Sequence, residues 1–168
     1  MASSKKILVI DDEPEIAEIL CDLLITHYPL VESMTDSNQA RERLEKESFS
    51  LIISDINMPG LPGPELIRFL RARGDWTLVM FLTGNATKEN VLSALRLGVV
   101  DVLEKPFDED VLLQTIQRIF EIEKRKNGLV LEQAGKELSK EQLEQKNKML
   151  GLLHLANEKK TDDKKKPA

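Results

Sequence analysis

The sequence predicts an α/β fold in which five parallel strands alternate with five helices. Short apolar runs recur along the first 126 residues, and segments with apolar residues at helical spacing separate them. This alternation is typical of a parallel sheet that is covered by helices on both faces. The central run, Leu51–Asp55, is apolar until its last residues and is closed by Met58-Pro59-Gly60, which predicts a strand buried on both faces.

The strands are predicted from apolar runs that end in proline, glycine or polar turn residues. In chain order these runs are Lys6–Ile10, Leu30–Met34, Leu51–Asp55, Leu78–Leu82 and Val99–Leu103. The second run is short and less apolar than the others. If the strands lie parallel, their carboxyl ends meet at one edge of the sheet, where open α/β sheets place their binding crevices.

The helices are predicted where a capping or first-turn residue precedes apolar residues at helical spacing. In chain order, the starting signals are Pro14, Asp36 or Ser37, Pro64 after the loop Gly60–Gly63, Thr87, and Asp108. The second helix is expected to end near Lys46, and Gly98 to close the fourth. The apolar residues expected to face inward are Ala40 and Leu44 in the second helix, Val91, Leu92 and Leu95 in the fourth, and Val111, Leu112, Ile116, Ile119 and Phe120 in the fifth.

The composition indicates a soluble, cytoplasmic protein. Apolar residues make up 41% of the 168 residues, enough for a core, and aromatic residues only 4%, so the core is expected to be aliphatic. No apolar run approaches the roughly 20 residues that a membrane helix requires, and the start, MASSKK, lacks the apolar core of a signal peptide. The net charge of -5 gives no support to nucleic-acid binding.

A change of composition near residue 126 divides the sequence into three predicted parts. Residues 1–126 carry a net charge of -7 and contain the predicted sheet domain, whereas residues 127–168 carry +2. A helical extension is predicted over 127–158. The lysine-rich end, 159–168, is expected to be disordered.

The extension contains one segment with a clear helical pattern. Ser139–Glu158 begins with a capping box and carries leucines on one face. Gly128 and Gly135 each cost about 1 kcal/mol in a helix relative to alanine, so an unbroken helix through them is not expected. The segment is interpreted either as a packing helix or solvated tail, or as a helix that binds a partner or forms a dimer.

Residues suited to phosphate chemistry follow four of the predicted strands: Asp11 and Asp12, Asp55, Thr83, and Lys105. Two carboxylates 4 Å apart repel by about 4 kcal/mol at an effective dielectric of 20, so cations must offset a cluster of three. Lys105 supplies one positive charge, and oxygen ligands of this kind select a hard ion such as Mg2+. The sequence therefore predicts a phosphoryl-transfer site with Asp55 as nucleophile, and with Thr83 and Lys105 contacting phosphoryl oxygens.

The order and spacing of these residues resemble the response-regulator receiver domains of two-component signalling, the CheY-like domains. The resemblance covers about residues 5–126 and is carried by the pair Asp11-Asp12, by Asp55 in SDINMPG, by Thr83, and by Lys105-Pro106. It implies a (βα)5 doubly wound, flavodoxin-like sheet with strand order 2-1-3-4-5. It also implies a cis peptide between Lys105 and Pro106.

The resemblance further implies the chemistry and the partners. Asp55 would accept a phosphoryl group from a sensor histidine kinase or a phosphotransfer protein, so the chain would be a phosphoacceptor and not an enzyme with turnover. Mg2+ would be held by Asp12, Asp55 and the backbone carbonyl of Asn57, with Asp11 acting largely through water. The signal would pass to a downstream protein, or to a homodimer formed by the face of helix four, strand five and helix five or by the 139–158 helix.

One position departs from the family pattern in a way that affects the signal. Val102 stands where the family commonly has Tyr or Phe three residues before the lysine. Valine has no ring to swing inward on activation. Any activation is therefore expected to pass through Thr83 and the loop Gly84–Lys88.

Three functions remain open from the sequence. The first is a receiver that acts as a phosphate shuttle, sink or adaptor, and the second is a receiver whose 139–158 helix is the output. The third is an unrelated Mg2+-dependent phosphatase that forms an aspartyl phosphate. Such phosphatases usually carry a second Asp two residues after the nucleophile, where this chain has Asn57, so a receiver is favoured.

Overall fold

The computed structural model describes residues 5–84 and 87–135, and within them five strands alternate with five helices as the sequence predicts. The strands are β1 (Lys6–Ile10), β2 (Leu30–Met34), β3 (Leu51–Asp55), β4 (Leu78–Thr83) and β5 (Asp101–Glu104). The helices are α1 (Pro14–Ile25), α2 (Ser37–Lys46), α3 (Gly63–Ala72), α4 (Lys88–Arg96) and α5 (Glu109–Gly135). The predicted α/β class is confirmed.

Internal contacts divide the chain into two units, Met1–Ile119 and Phe120–Ala168. The first unit holds the sheet, four helices and the start of α5, and in the second unit residues 120–135 continue that helix. The predicted 139–158 helix and 159–168 tail lie outside the described residues. Among residues 5–84 and 87–135, none of the helices has the length and hydropathy of a membrane span.

The sheet is parallel and has the predicted order β2-β1-β3-β4-β5. All five residues of β3 are buried, as expected for a central strand covered on both faces. The register pairs Ile10 with Ser54, Asp55 with Leu82, and Thr83 with Glu104. The carboxyl ends of β1, β3, β4 and β5 therefore meet at one edge of the sheet.

The core is aliphatic, as the low aromatic content predicts. Burial of one such side chain contributes about 1.5–3 kcal/mol, so the strand interiors account for much of the stability. The largest side chains that are buried to less than 2% exposure are Phe81, Ile7, Leu8, Ile10, Leu20, Leu24, Leu51, Ile52, Ile53, Leu66, Ile67 and Leu70.

Three residues that were expected to face inward are exposed. Leu92 and Leu95 of α4 are 45% and 56% exposed, and Val111 of α5 is 46% exposed. In α4 the buried residue is the small Ala94, at 1% exposure. Apolar residues occupy overlapping faces of these helices, and periodicity alone does not determine which face packs on the sheet. The other predicted inner residues of α5 are buried.

The predicted start of the fifth strand at Val99 is wrong by two residues. The N–H of Val99 still donates to the carbonyl of Ala94, at 3.2 Å, and Gly98 adopts a positive φ of 70°. These features complete the carboxyl end of α4, so the β5 ladder begins at Asp101.

The expectation that Gly128 interrupts the last helix is also wrong, whereas continuation past Gly135 lies outside the described residues. The α5 helix continues through Gly128 to Gly135. A Cβ at Gly128 would meet nothing within 4 Å, so no close contact requires glycine there. A penalty near 1 kcal/mol is small enough for the rest of a long helix to offset.

Arg71 ties the end of α3 to two turns of the chain. Its guanidinium donates to the carbonyls of Leu97 at 2.9 Å, Asp75 at 2.7 Å and Thr77 at 3.1 Å. Its Cζ lies 5.1 Å from the centre of the Trp76 ring. Burial lowers the pKa of Arg71, an effect that the charge of Asp75 opposes. Hydrogen bonds from a charged donor contribute about 1.5–3 kcal/mol when their partners are sheltered from water.

We expect Arg71→Lys to lower the free energy of unfolding by about 2 kcal/mol, because an ammonium group cannot reproduce the planar guanidinium that donates to several backbone carbonyls. Arg68→Lys is the matched control, since its ion pair with Glu65 on the same helix is exposed and contributes little. Urea denaturation of both variants measures the difference. Equal losses in the two variants would contradict the role given to Arg71.

Candidate functional site

The carboxyl edge of the sheet brings together the acidic residues and the lysine that the sequence predicts. Carboxylate oxygens of Asp11, Asp12 and Asp55 lie within 4.8 Å of one another. The ammonium of Lys105 donates to Asp11 Oδ2 at 2.6 Å and to Asp55 Oδ2 at 3.2 Å. One cation therefore bridges two carboxylates that are 44 positions apart in the chain and that lie at the carboxyl ends of the adjacent strands β1 and β3.

Burial and charge act in opposite directions on this cluster. Asp11 is 1% exposed, and burial raises its pKa, while the hydrogen bonds from Lys105 and from the backbone of Glu13 oppose that rise. For Lys105, burial lowers the pKa, but the hydrogen bond and charge of Asp11, followed by those of Asp55, outweigh it and leave the pKa raised. Lys105 is thus a firmly held cation at neutral pH.

The donor set fits a hard divalent cation. Lys105 contacts two of the three clustered carboxyl groups, Asp11 and Asp55, so a second cation would relieve repulsion that Lys105 alone leaves in place. Asp12 is half-buried and lies at two surface cavities of about 410 Å³ each, which leaves room for an ion that retains water ligands. Oxygen ligands with retained water are the surroundings that Mg2+ prefers.

Asp55 is held by its own strand and by the turn that follows. The backbone N–H of Asn57 donates to Asp55 Oδ1 at 3.3 Å, and the Ser54 hydroxyl donates to the Asp55 carbonyl at 2.9 Å. The N–H of Ile56 still donates to Leu82 on β4, at 3.2 Å. The side chain of Asp55 is about nine-tenths buried, and Lys105 contacts the other carboxylate oxygen.

Gly63 allows α3 to begin against the backbone of Asp55. A Cβ at Gly63 would lie 2.3 Å from the Asp55 carbonyl oxygen and 3.1 Å from the Phe81 ring. The Gly63 N–H donates to the Ile56 carbonyl at 3.0 Å, so the close approach is fixed by a hydrogen bond. Glycine is required at this position because a Cβ atom has no room beside the Asp55 carbonyl, and not because the backbone adopts a positive φ.

Ser37 fastens the loop between β3 and α3. Its hydroxyl donates to the Pro59 carbonyl at 3.3 Å and accepts from the Leu61 N–H at 3.2 Å. Ser37 is 2% exposed and stands at the start of α2, after the Asp36 cap. The second helix thus supports the loop that leaves the site.

Thr83 and Lys105 are joined through the backbone. The N–H of Lys105 donates to the Thr83 carbonyl at 2.7 Å, one step beyond the pairing of Thr83 with Glu104. Thr83 is fully buried at the end of β4. The peptide bond between Lys105 and Pro106 is cis, as the resemblance implies.

Three residues of the site were not assigned a site role from the sequence. Gly63 lies between two prolines, and that spacing is a usable signal for a constrained turn. Ser37 is predicted only as a possible helix cap, and Glu13 is assigned no role from the sequence. Their contacts involve residues distant in the chain or a neighbouring turn, which local patterns do not encode.

The family model described as the response regulator receiver domain matches residues 7–117. The response regulator protein FleR of Pseudomonas aeruginosa is 33% identical over 113 residues, which make up 67% of this chain and 24% of FleR. The transcriptional regulatory protein FixJ of Bradyrhizobium diazoefficiens is 33% identical over 117 residues, or 70% of this chain and 57% of FixJ. The chain therefore spans about a quarter to somewhat more than half of the length of these relatives.

Solved structures give the same result for the fold. The chemotaxis protein CheY4 of Vibrio cholerae matches with a TM-score of 0.64 and 31% identity over 69% of this chain and 98% of that one. A CheY-like receiver domain protein of Methanospirillum hungatei matches with a TM-score of 0.68 and 27% identity over 74% of this chain and 99% of that one.

We expect Gly63→Ala to lower the free energy of unfolding by about 2 kcal/mol or more, because the new methyl group must displace the Asp55 backbone or the Phe81 ring. Gly128→Ala is the control, since it has open space and should leave stability unchanged or raise it by about 1 kcal/mol. Thermal denaturation followed by circular dichroism measures both. A Gly63→Ala variant as stable as the parent would show that the close approach is not a constraint.

We expect Lys105→Met to lower the free energy of unfolding by about 2–4 kcal/mol in metal-free buffer, because it leaves the Asp11 and Asp55 carboxylates without their cation. Combining it with Asp11→Asn should reduce that loss, since one fewer charge then needs an offset. Lys46→Met, at an exposed position of α2, is the control. Identical denaturation midpoints for Lys105→Met and Lys46→Met would rule out the electrostatic role.

Proposed function

The chain belongs to the response regulator receiver domain family, and we propose that it accepts a phosphoryl group on Asp55 from a sensor histidine kinase or a phosphotransfer protein. The observation that carries the proposal is the cluster of Asp11, Asp12 and Asp55 oxygens within 4.8 Å, with Lys105 bound to two of the three. Phosphoryl transfer depends mainly on positioning and on charge neutralisation, and this cluster supplies both.

We propose Mg2+ as the cofactor of the reaction. Asp12, Asp55 and the backbone carbonyl of Asn57 would hold the ion, and Asp11 would act largely through water. When bound, the ion would offset negative charge on the phosphoryl oxygens and on the carboxylates. The residues themselves remain responsible for orientation, since Asp11 is fixed by Lys105 and by the N–H of Glu13.

Asp55 is the proposed nucleophile. One of its carboxylate oxygens bonds to phosphorus while the phosphorus–nitrogen bond to the histidine of the donor protein breaks, so the imidazole leaves with the electron pair and a mixed anhydride is formed on Asp55. The Asn57 N–H donates to Oδ1 and the Lys105 ammonium to Oδ2, so both carboxylate oxygens are held in place for the reaction. Lys105 then pairs with a phosphoryl oxygen, and the Thr83 hydroxyl donates to another.

We propose that the chain undergoes self-catalysed phosphotransfer and dephosphorylation and is not an enzyme with turnover on other substrates. A phosphatase that forms an aspartyl phosphate usually has a second Asp as acid or base two residues after the nucleophile. Asn57 stands at that position, and an amide cannot exchange a proton in that role. A receiver that serves only as a phosphate shuttle or sink uses the same site and differs only in its partners.

The output is proposed to be a downstream protein or self-association. The α4 and α5 helices expose Leu92, Leu95 and Val111, apolar residues of the kind that protein interfaces bury. This supports a homodimer or a partner contact on the face formed by α4, β5 and the start of α5. The alternative interface on the 139–158 helix lies outside the described residues.

Val102 affects how the signal would reach that face. It is half-buried and packs against the core cluster, opposite Phe81 in the β4–β5 register. Because no aromatic ring can swing at this position, we propose that the signal passes through Thr83 and the loop Gly84–Lys88, of which residues 85 and 86 lie outside the described part. The added charge of a phosphoryl group would draw Thr83 and Lys105 toward Asp55.

We expect acetyl phosphate with Mg2+ to add one phosphoryl group per chain, and Asp55→Asn to abolish the addition because the amide is not a nucleophile. Intact-mass spectrometry at short times measures the label. Asp22→Asn, which changes an exposed carboxylate on α1, is the control and should label like the parent.

Two results would contradict the proposed function. One is labelling that persists in Asp55→Asn, which would show that another residue accepts the phosphoryl group. The other is continuous release of phosphate from a small phosphomonoester by catalytic amounts of protein without stoichiometric capture, which is the behaviour of a phosphatase.

A further inference from the structure

The carboxylate of Glu13 has no part in the chemistry described above, yet it reaches the site. Glu13 is the N-cap residue of α1, but its side chain makes no capping hydrogen bond. Instead its Oε1 lies 3.7 Å from the Lys105 ammonium, although the side chain is 63% exposed. The Glu13 N–H donates to Asp11 Oδ1 at 3.0 Å, which fixes the residue beside the cluster.

The two cavities that adjoin Asp12 differ in charge. The cavity on the α1 side is lined by Asp12, Glu13, Pro14, Glu15 and Ile16, so three of its five residues are acidic. The cavity on the α2 side is lined by Asp12, Thr35, Asp36, Asn38, Pro59 and Gly60. There the Asp36 carboxylate already accepts from the N–H groups of Asn38 and Gln39. Glu13 therefore adds negative charge to one approach to Asp12.

Glu13 also competes for the one cation of the cluster. Lys105 contacts Asp11 at 2.6 Å, Asp55 at 3.2 Å and Glu13 at 3.7 Å. Glu13 is the only one of these three acceptors that is largely exposed. Its charge attracts the ammonium and so competes with the oxygens of an incoming phosphoryl group for Lys105.

We infer that Glu13 is a positioning residue that sets the preference of the site among phosphodonors, disfavouring donors of high negative charge. The inference rests on the proposed function. Glu13 would slow the reaction in two ways. Its carboxylate repels the negatively charged donor, and it holds the ammonium of Lys105 that would otherwise pair with the donor. A donor with less negative charge meets less repulsion on the same path.

The reaction with two small donors isolates this effect. With acetyl phosphate, a dianion, an Asp55 oxygen bonds to phosphorus while the phosphorus–oxygen bond to acetate breaks, and acetate leaves with the electron pair. With phosphoramidate, a monoanion, the phosphorus–nitrogen bond breaks and ammonia leaves with the electron pair. Nothing is oxidised or reduced in either case.

We expect Glu13→Gln to raise the labelling rate with acetyl phosphate about three- to fivefold and the rate with phosphoramidate by less, because one exposed charge several ångströms from a dianion has an effect of this size. The acceleration should shrink as ionic strength rises. Glu18→Gln, an exposed change of the same charge one turn further along α1, should leave both rates near those of the parent.

A second measurement needs neither donor nor metal. In metal-free protein, Glu13→Gln should shift the side-chain nuclear magnetic resonance signals of Lys105, because it removes one of the three carboxylates around the ammonium. Glu18→Gln should leave those signals in place. Circular dichroism confirms that both variants are folded.

The outcomes separate the inference from the function on which it rests. If the parent is labelled and Glu13→Gln has the same rates and the same Lys105 signals as Glu18→Gln, the inference is overturned and the function stands. If the parent takes no label from either donor, both are overturned. Acceleration with acetyl phosphate that exceeds the acceleration with phosphoramidate supports the inference.

Discussion

Repulsion among three carboxyl groups is the constraint on which the site depends. Oxygens of Asp11, Asp12 and Asp55 lie within 4.8 Å of one another, and Asp11 is almost fully buried. Like charges so placed oppose folding unless cations offset them. Lys105, which follows β5, provides one cation. Its pKa is raised because the ammonium is hydrogen-bonded to the carboxylates of Asp11 and Asp55. The proposed Mg2+ would offset the repulsion that Lys105 leaves in place.

The fold maintains this unfavourable arrangement by fixing the backbones that carry it. Four parallel strands end at the same edge, and an aliphatic core between the sheet and the helices holds them in register. Gly63 lets α3 start against the Asp55 carbonyl, and Ser37 fastens the loop between them. The charged groups are thus preorganised by packing and by neutral hydrogen bonds, so their repulsion does not open the site. Such preorganisation is what a phosphoryl-transfer site needs.

Most of the strands and the residues at their ends could be predicted from the sequence, because a buried parallel strand is a local pattern. Leu51–Asp55 is mostly apolar and bounded by turn residues, and its last residue, Asp55, is the candidate phosphoacceptor. The packing face of α4 could not be predicted, since Leu92 and Leu95 form an apolar stripe that remains exposed while Ala94 is buried. The roles of Gly63 and Ser37 were missed for another reason. Both depend on approaches between separate elements, which spacing along the chain does not record.

We propose that the carboxylate oxygens of Asp11, Asp12 and Asp55 bind a divalent metal ion. Calorimetric titration of the full chain with Mg2+ tests it most directly. We expect saturable binding of one ion per chain, and loss of that binding when Asp12 is replaced by asparagine in a protein that remains folded. Absence of saturable binding to the folded parent protein at millimolar Mg2+, or binding that is unchanged by that replacement, would contradict it.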